Sequence, residues 1–234
     1  MTTAARRGLL GAAALIAALT LLARVVGVGR WFVFAAAVGQ SCTGTAYIAA
    51  NQLPNVLFEV AAGGALAGAV VPVVAGLLAH DRREDADRTA SVLLTWAVLG
   101  LLPLSLLLAV ASGPLARLLL GGRTVAGCGD PVVPLAARMI VVFAPQIVLY
   151  GIGIVLTGVL QAHHRFTGPA LAPLLSSLVV IVAYAVFGSL TGTAALTGAA
   201  GLTGTAARTP DRTAELVLTV GTTLGVAALS LPLL

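Results

Sequence analysis

The stretch "ALTLLARVVGVGRWFVFAAAVG", Ala18–Gly39, is apolar enough to lie in a lipid bilayer, yet it carries Arg24 and Arg30. A guanidinium does not deprotonate in a protein, so the chain cannot lower the cost of burial by neutralising it. Two environments tolerate such a residue. An arginine near the end of a span can run its aliphatic stem along lipid and place its head at the water interface. An arginine deeper in the span faces the bundle interior or a water-filled cavity, where it marks a substrate path. From Leu9 to Leu22 the chain rises about 21 Å, which puts Arg24 near the far headgroups if the span starts there. Arg24 and Arg30 are six positions apart, about 120° around an ideal helix. Gly27 and Gly29 lie between them, and a bend there turns both arginines toward one cavity.

The rest of the chain matches this reading. Of 234 residues, 59% are hydrophobic and only 9% are charged, against roughly a quarter charged in a soluble domain. Mean hydropathy is +1.06. So few charges cannot cover a water-exposed surface, and the composition places the chain among membrane proteins. The formal net charge is +5, and all 13 basic residues are arginines. They are scattered singly or in pairs, without the basic stripe and interleaved aromatics of a nucleic-acid surface. The start, "TAARRGLLGAAALIAALTLLA", has the outline of a secretory signal. Because the apolar run continues past Arg24 and further runs follow, it reads as a retained first span.

A helical span needs about 20 mainly apolar residues. Six runs qualify, at 8–39, 45–78, 90–111, 132–160, 169–187 and 214–234. They predict an all-α membrane protein whose residues 1–234 form one six-helix unit. The run 8–39 is too long for one straight span, and "NQLPN" interrupts 45–78. Between the runs lie "HDRREDADR" (80–88), read as a solvated loop that opens the next helix, and a glycine-rich loop with a short apolar insert (112–131). "QAHHRFTGP" (161–169) reads as an interfacial turn, and 188–211 as a low-complexity segment. With the N-terminus inside, the inner side carries Arg6, Arg7, Arg82, Arg83, Arg88 and Arg165. The outer side carries Arg117, Arg123, Arg208 and Arg212. That bias favours a cytoplasmic N-terminus. Leu234 stands in an apolar run without a charged stop or polar tail, which reads as a chain cut from a longer protein.

The second run holds the strongest polar pattern. Asn51, Asn55 and Glu59 recur every four residues and share one helix face. Asparagine can act as interhelical glue, but a carboxylate at that depth calls for a partner, either an arginine of the first span or a proton. Pro54 breaks the backbone ladder and predicts a kink, as does Pro145 in the fourth run. "GGALAG" (63–68) is a small-residue face suited to close helix packing. Arg138 reads as an interfacial arginine. Kinked helices with polar groups at mid-membrane are frequent in transporters.

Cys42 and Cys128 fall on the same predicted side, the outer and oxidising one, so they can pair as a disulfide or stand as free thiols. There is no CxxC or Cys/His cluster, and adjacent His163 and His164 point about 100° apart on a helix, so no metal site is expected. A nucleophile–base pair and a phosphate loop are also missing, which argues against an enzyme and against a bound cofactor.

"LLARVVGVGRWFVFAAAVG" (21–39), followed by "AYIAANQLPNVLFEVAAGGALAGAVVPVVAG" (46–76), resembles the start of the MurJ (MviN) lipid II flippases. "FAPQIVLYGIGIVLTGVLQAHHRFTGPALAPLLSS" (143–177) resembles their fourth and fifth spans, and "GTTLGVAALSLPLL" (221–234) fits the sixth. The resemblance covers about residues 15–234 and looks most like the actinobacterial branch, where an acidic residue follows "LPN" as Glu59 does. It implies the fold of the multidrug/oligosaccharidyl-lipid/polysaccharide exporter superfamily, in which two six-helix lobes enclose a central cavity. This chain would supply the N-terminal lobe, its partner being a C-terminal lobe absent from it. The implied function is to flip lipid-linked peptidoglycan precursor across the cytoplasmic membrane by alternating access, for cell-wall synthesis. Arg24 and Arg30 match cavity arginines thought to hold the pyrophosphate, with Asn51, Asn55 and Glu59 beside them. The sequence departs from the family pattern at Phe58-Glu59, where many relatives carry paired arginines, and at Thr45 and Gly63, where acidic residues are common. Two further readings remain at this point. One is another exporter of the superfamily, moving a drug or lipid-linked oligosaccharide. The other is a non-transporting membrane scaffold.

Overall fold

The computed structural model describes residues 3–39, 41–60, 64–121, 128, 132–192 and 211–233. Within them the chain is helical, with no strand. A bilayer dictates this outcome, because lipid offers backbone groups no hydrogen-bond partners and a helix satisfies them internally. Five segments are long and apolar enough to cross a membrane: 14–37, 83–110, 132–162, 167–191 and 212–233.

Helix α1 (Thr3–Ala37) is one uninterrupted helix that passes through Gly27 and Gly29. The first run, expected to be too long for one straight span, is continuous helix, and its segment 14–37 is long and apolar enough to cross a membrane. Gly39, at φ 59°, turns the chain out of α1, a left-handed position that glycine takes without strain. Ser41 then caps α2 (Cys42–Phe58), its Oγ accepting from the Gly44 backbone N–H at 3.0 Å.

Two helices are described within the predicted 45–78 span. Pro54 sits inside α2, which continues to Phe58, and Glu59–Val60 form a wider π-type turn. A separate helix, α3, covers Gly64–Ala79. At 17 and 16 residues, α2 and α3 are each shorter than the five spanning segments.

Helix α4 (Arg83–Val110) starts well before the predicted residue 90. Most of the expected solvated loop is therefore its first turns, where Glu84 and Asp85 complement the helix dipole. The apolar insert in the glycine-rich loop is a helix too, α5 (Ser112–Leu120). The remainder of that loop except Cys128, most of 188–211, Gly63, Arg123, Arg208 and Leu234 lie outside the described residues.

The fourth predicted run is two helices in line, α6 (Val132–Phe143) and α7 (Gln146–Ala162), interrupted at Ala144-Pro145. Proline has no N–H to donate, so the helical ladder is interrupted there. Hydroxyls of neighbouring helices bond carbonyls beside the break. Thr223 Oγ1 donates to the Val142 carbonyl at 3.2 Å, and Ser105 Oγ donates to the Ala144 carbonyl at 2.8 Å. Further along α7, Ser230 Oγ donates to the Leu149 carbonyl at 2.7 Å. The break is thus held in place by side chains of α4 and of the last helix.

Helix α8 (Thr167–Thr191) and α9 (Arg212–Ser230), which ends in a short 3-10 turn at Leu231–Leu233, complete the fold. Helix α8 packs most heavily on α9 and α1. The α8–α9 approach needs glycine: a Cβ on Gly221 would overlap the Ala183 side chain, and one on Gly225 would overlap Val180. Gly68 of the predicted small-residue face has nothing within 4 Å of its Cβ position. Among the described residues, α7 and α9 supply close-packing glycines, and a Cβ on Gly158 of α7 would overlap Val70 of α3. The main core joins Phe34, Tyr47, Phe143 and Tyr184 from four helices, while Phe32 and Val110 face outward.

Candidate functional site

A cavity of about 410 Å³ opens between α1, α2, α7, α8 and α9. Its lining follows helical periodicity. Arg30, Trp31 and Phe34 come from α1, and Tyr47, Asn51 and Asn55 from one stripe of α2 with Ile48 and Gln52 beside them. Tyr150 comes from α7, and Pro173, Ser176, Ser177, Val180 and Tyr184 from α8. Thr222, Val226 and Leu229 come from α9.

The structure brings three of the five sequence-predicted substrate residues to this cavity: Arg30, Asn51 and Asn55. Arg24 and Glu59 are exposed and outside its lining. Glu59 makes no ion pair among the described residues, so the expected partnership with an arginine of α1 is not formed. A continuous α1 explains the separation of the two arginines. On a continuous helix a six-residue offset leaves them about 120° apart, and Arg30 lines the cavity while Arg24 does not.

One wall of the cavity is a hydrogen-bond chain of fixed direction. Thr222 Oγ1 donates its single proton to the Leu218 carbonyl at 2.7 Å. Thr222 must therefore accept from Tyr47, 2.9 Å away, and Tyr47 must accept from Tyr184, 2.8 Å away. Every proton in this relay is committed toward the backbone, which leaves the Tyr184 oxygen with acceptor capacity only. The ring of Tyr47 is pinned between Phe34, Phe143 and Tyr184, with centroids 5.5, 5.6 and 6.0 Å away.

Other lining groups are unpaired. Arg30 makes no hydrogen bond or ion pair among the described residues. Among the described residues it is the one charged group of the lining. Asn55 Nδ2 donates to the Asn51 carbonyl at 2.9 Å, but the buried Asn51 Oδ1 has no partner. Arg138 behaves otherwise. Expected as an interfacial arginine, it forms a two-pronged ion pair with Glu215 on α9, away from the cavity lining.

The sequence reading missed Tyr47, Tyr150, Tyr184, Thr222 and the two serines. A signal existed for Tyr47, which sits one four-residue step before Asn51 on the same stripe. The α8 and α9 residues carry no comparable signal, because isolated Ser, Thr and Tyr in apolar runs do not reveal which face meets a cavity.

Cys42 and Cys128 form a disulfide, with Cα atoms 5.5 Å apart. It ties the start of α2 to the segment before α6.

Comparison with known proteins places this geometry. The sequence model of the family described as lipid II flippase MurJ matches residues 34–234. A lipid II flippase MurJ of Burkholderia cenocepacia is 33% identical over 181 residues, covering 74% of this chain and 33% of the relative. A probable lipid II flippase MurJ of Synechocystis sp. is 31% identical, covering 77% of this chain and 32% of the relative. One from Thermotoga maritima is 31% identical, with 75% and 35% covered. The chain thus spans about a third of the length of these relatives. A solved lipid II flippase MurJ chain in an inward closed conformation superposes with a TM-score of 0.62 at 21% identity, over 93% of this chain and 40% of that one. With its helical fold and its polar cavity inside an apolar bundle, the chain belongs to the MurJ lipid II flippase family.

Proposed function

We propose that this chain is the N-terminal lobe of a transporter that flips lipid-linked peptidoglycan precursor across the cytoplasmic membrane, and that Arg30 holds the precursor's pyrophosphate. The observation that carries this reading is an unpaired Arg30 beside Asn51 and Asn55 in a cavity without an acidic lining residue. A guanidinium in that setting costs several kcal/mol unless an anion or water meets it. A pyrophosphate offers paired oxygens to its planar donor fork. Arg24 lies about 9 Å along the same helix and receives the headgroup at another stage of its passage. Asn55 and Glu59 continue the polar track along α2.

The chain acts as a transporter and not as an enzyme, by alternating access against a second lobe of the same protein. Gly27, Gly29, Pro54 and the Pro145 break are the points where its helices flex. The lipid tail stays among membrane lipids. The Cys42–Cys128 bond supports an orientation in which the start of α2 and the segment before α6 face the oxidising outer side, leaving the N-terminus cytoplasmic.

The test is rescue of a conditional flippase depletion by the full-length gene product, wild type beside Arg24→Ala and Arg30→Ala at equal membrane levels. Rescue by wild type and failure of Arg30→Ala is the expected result. Rescue by both arginine variants removes the guanidiniums from the transport path. Failure of wild type, despite normal insertion, overturns the flippase reading.

A further inference from the structure

The helices of the lobe are not fastened to one another equally. Helix α9 is bonded along its length to the broken helix α6–α7. Glu215 accepts from Arg138, Thr223 donates to the Val142 carbonyl, and Ser230 donates to the Leu149 carbonyl. Gln146 adds a further link by donating to Thr223. This seam is a spine with two wings. In one wing α8 packs on α9, and α1 packs on α8. In the other, α2 packs mainly on α6 and α7, and the Cys42–Cys128 bond ties its first residue to the segment before α6. Helix α2 is in no extensive contact with α1, α8 or α9. The cavity lies between the wings.

Two side-chain hydrogen bonds cross from α2 to the far side, both at the Tyr47 hydroxyl. They join it to Tyr184 of α8 and to Thr222 of α9. No other side chain of α2 is hydrogen-bonded to α8 or α9 among the described residues. The rings of Phe34, Tyr47 and Tyr184 also touch across the gap, but an apolar contact can slide, whereas a hydrogen bond is made or broken. The three hydroxyls stand at the cavity wall. Water entering between parted wings would solvate them, so separation costs only the net worth of the bonds and is reversible.

We propose that Tyr47 is a clasp within the lobe, and that α2 and α8 part about the α9–α7 spine when its hydrogen bonds break. Parting widens the cavity and carries Asn51 and Asn55 away from Arg30. This goes beyond the flippase reading, in which the lobe moves against a second lobe, and it concerns a motion that needs no substrate. The direction of the protons sets how each variant behaves. Tyr47→Phe removes both bonds at once. Tyr184→Phe removes the bond between the wings and leaves Tyr47 donating to Thr222. Thr222→Val also removes one bond, yet Tyr47 can then turn its proton to the Tyr184 oxygen, so the wings stay joined.

The test measures distances by double electron–electron resonance on the full-length protein in nanodiscs. Spin labels are placed through Val56→Cys on α2 and Val182→Cys on α8, both exposed positions. The native cysteines are paired and take no label. A second labelled pair, Val141→Cys on α6 and Val220→Cys on α9, spans the spine. In the α2–α8 pair, Tyr47→Phe should raise the ratio of long to short distances about tenfold, and Tyr184→Phe about fivefold. Thr222→Val should match wild type, and the spine pair should not change in any variant. If Tyr47→Phe fails to insert, the contrast between Tyr184→Phe and Thr222→Val decides the matter. Unchanged α2–α8 distances in the tyrosine variants overturn the clasp and leave the flippase reading standing. Equal widening in Tyr184→Phe and Thr222→Val, or widening of the spine pair, shows general loosening and also overturns it.

Discussion

Arg138 on α6 and Glu215 on α9 face each other through two parallel hydrogen bonds, Nε to Oε1 at 2.9 Å and Nη2 to Oε2 at 2.8 Å. The pair is lopsided, with the glutamate side chain 8% exposed and the arginine side chain 54%. The carboxylate therefore depends on the arginine far more than the arginine depends on it. Arg138→Leu should cost about 2–3 kcal/mol by stranding a buried carboxylate. The double variant Arg138→Leu/Glu215→Leu should recover most of the loss. Thermal unfolding in detergent decides the matter, and a double variant less stable than the single one contradicts this account.

The glycines separate into two groups. Gly225→Ala places a methyl against Val180 and should cost about 1–3 kcal/mol by overpacking the α8–α9 contact. Gly27→Ala meets nothing within 4 Å and should leave stability unchanged or slightly raised. If α1 bends at Gly27 and Gly29 during transport, Gly27→Ala/Gly29→Ala should slow flipping at unchanged melting temperature. An unchanged flipping rate in that variant would remove the hinge.

Thr223 serves two partners. Gln146 Nε2 donates to its Oγ1 at 3.1 Å, while its own proton goes to the Val142 carbonyl. Ser105 serves one, the Ala144 carbonyl. Thr223→Val should therefore destabilise more than Ser105→Ala, by about 1–2 against about 0.6–1 kcal/mol. Equal losses would mean that the Gln146 contact contributes nothing.

Cys42 and Cys128 enclose a sequence separation of 86 residues. Replacing both with serine should lower stability by about 2–4 kcal/mol. In intact cells both thiols should resist alkylation until a reductant is added. Labelling of either without reduction contradicts the bond.

The fold was legible where membrane physics leaves little choice. Runs such as 169–187 contain too little polarity for anything but a buried or lipid-facing helix, and α8 covers that run. Boundaries were less legible. Arg82 to Arg88 reads as a loop by charge, yet Glu84 and Asp85 are favourable in a helix's first turn, so α4 starts at Arg83. Within 45–78, Pro54 was the signal of an irregularity, and α2 runs on past it to Phe58, with the π-type turn at Glu59–Val60. In the cavity, the four-residue stripe of α2 exposed Asn51 and Asn55 to reading. Ser176 and Thr222 stayed hidden, because one hydroxyl in an apolar helix equally suits a backbone bond or a ligand. Thr222 in fact bonds the Leu218 carbonyl and Tyr47 together.

The sulfur bridge also bears on how the protein is made. The chain it encloses holds α2 to α5, and on the proposed orientation it leaves the outer surface, enters the bilayer and returns before the second sulfur emerges. A nascent chain in which this excursion fails to form a hairpin leaves its two thiols on opposite sides of the membrane, where no oxidant can join them. On that orientation, closure of the ring would record that α2 to α5 were threaded in the correct sense before α6 is laid down, a covalent mark open to the cell during biogenesis.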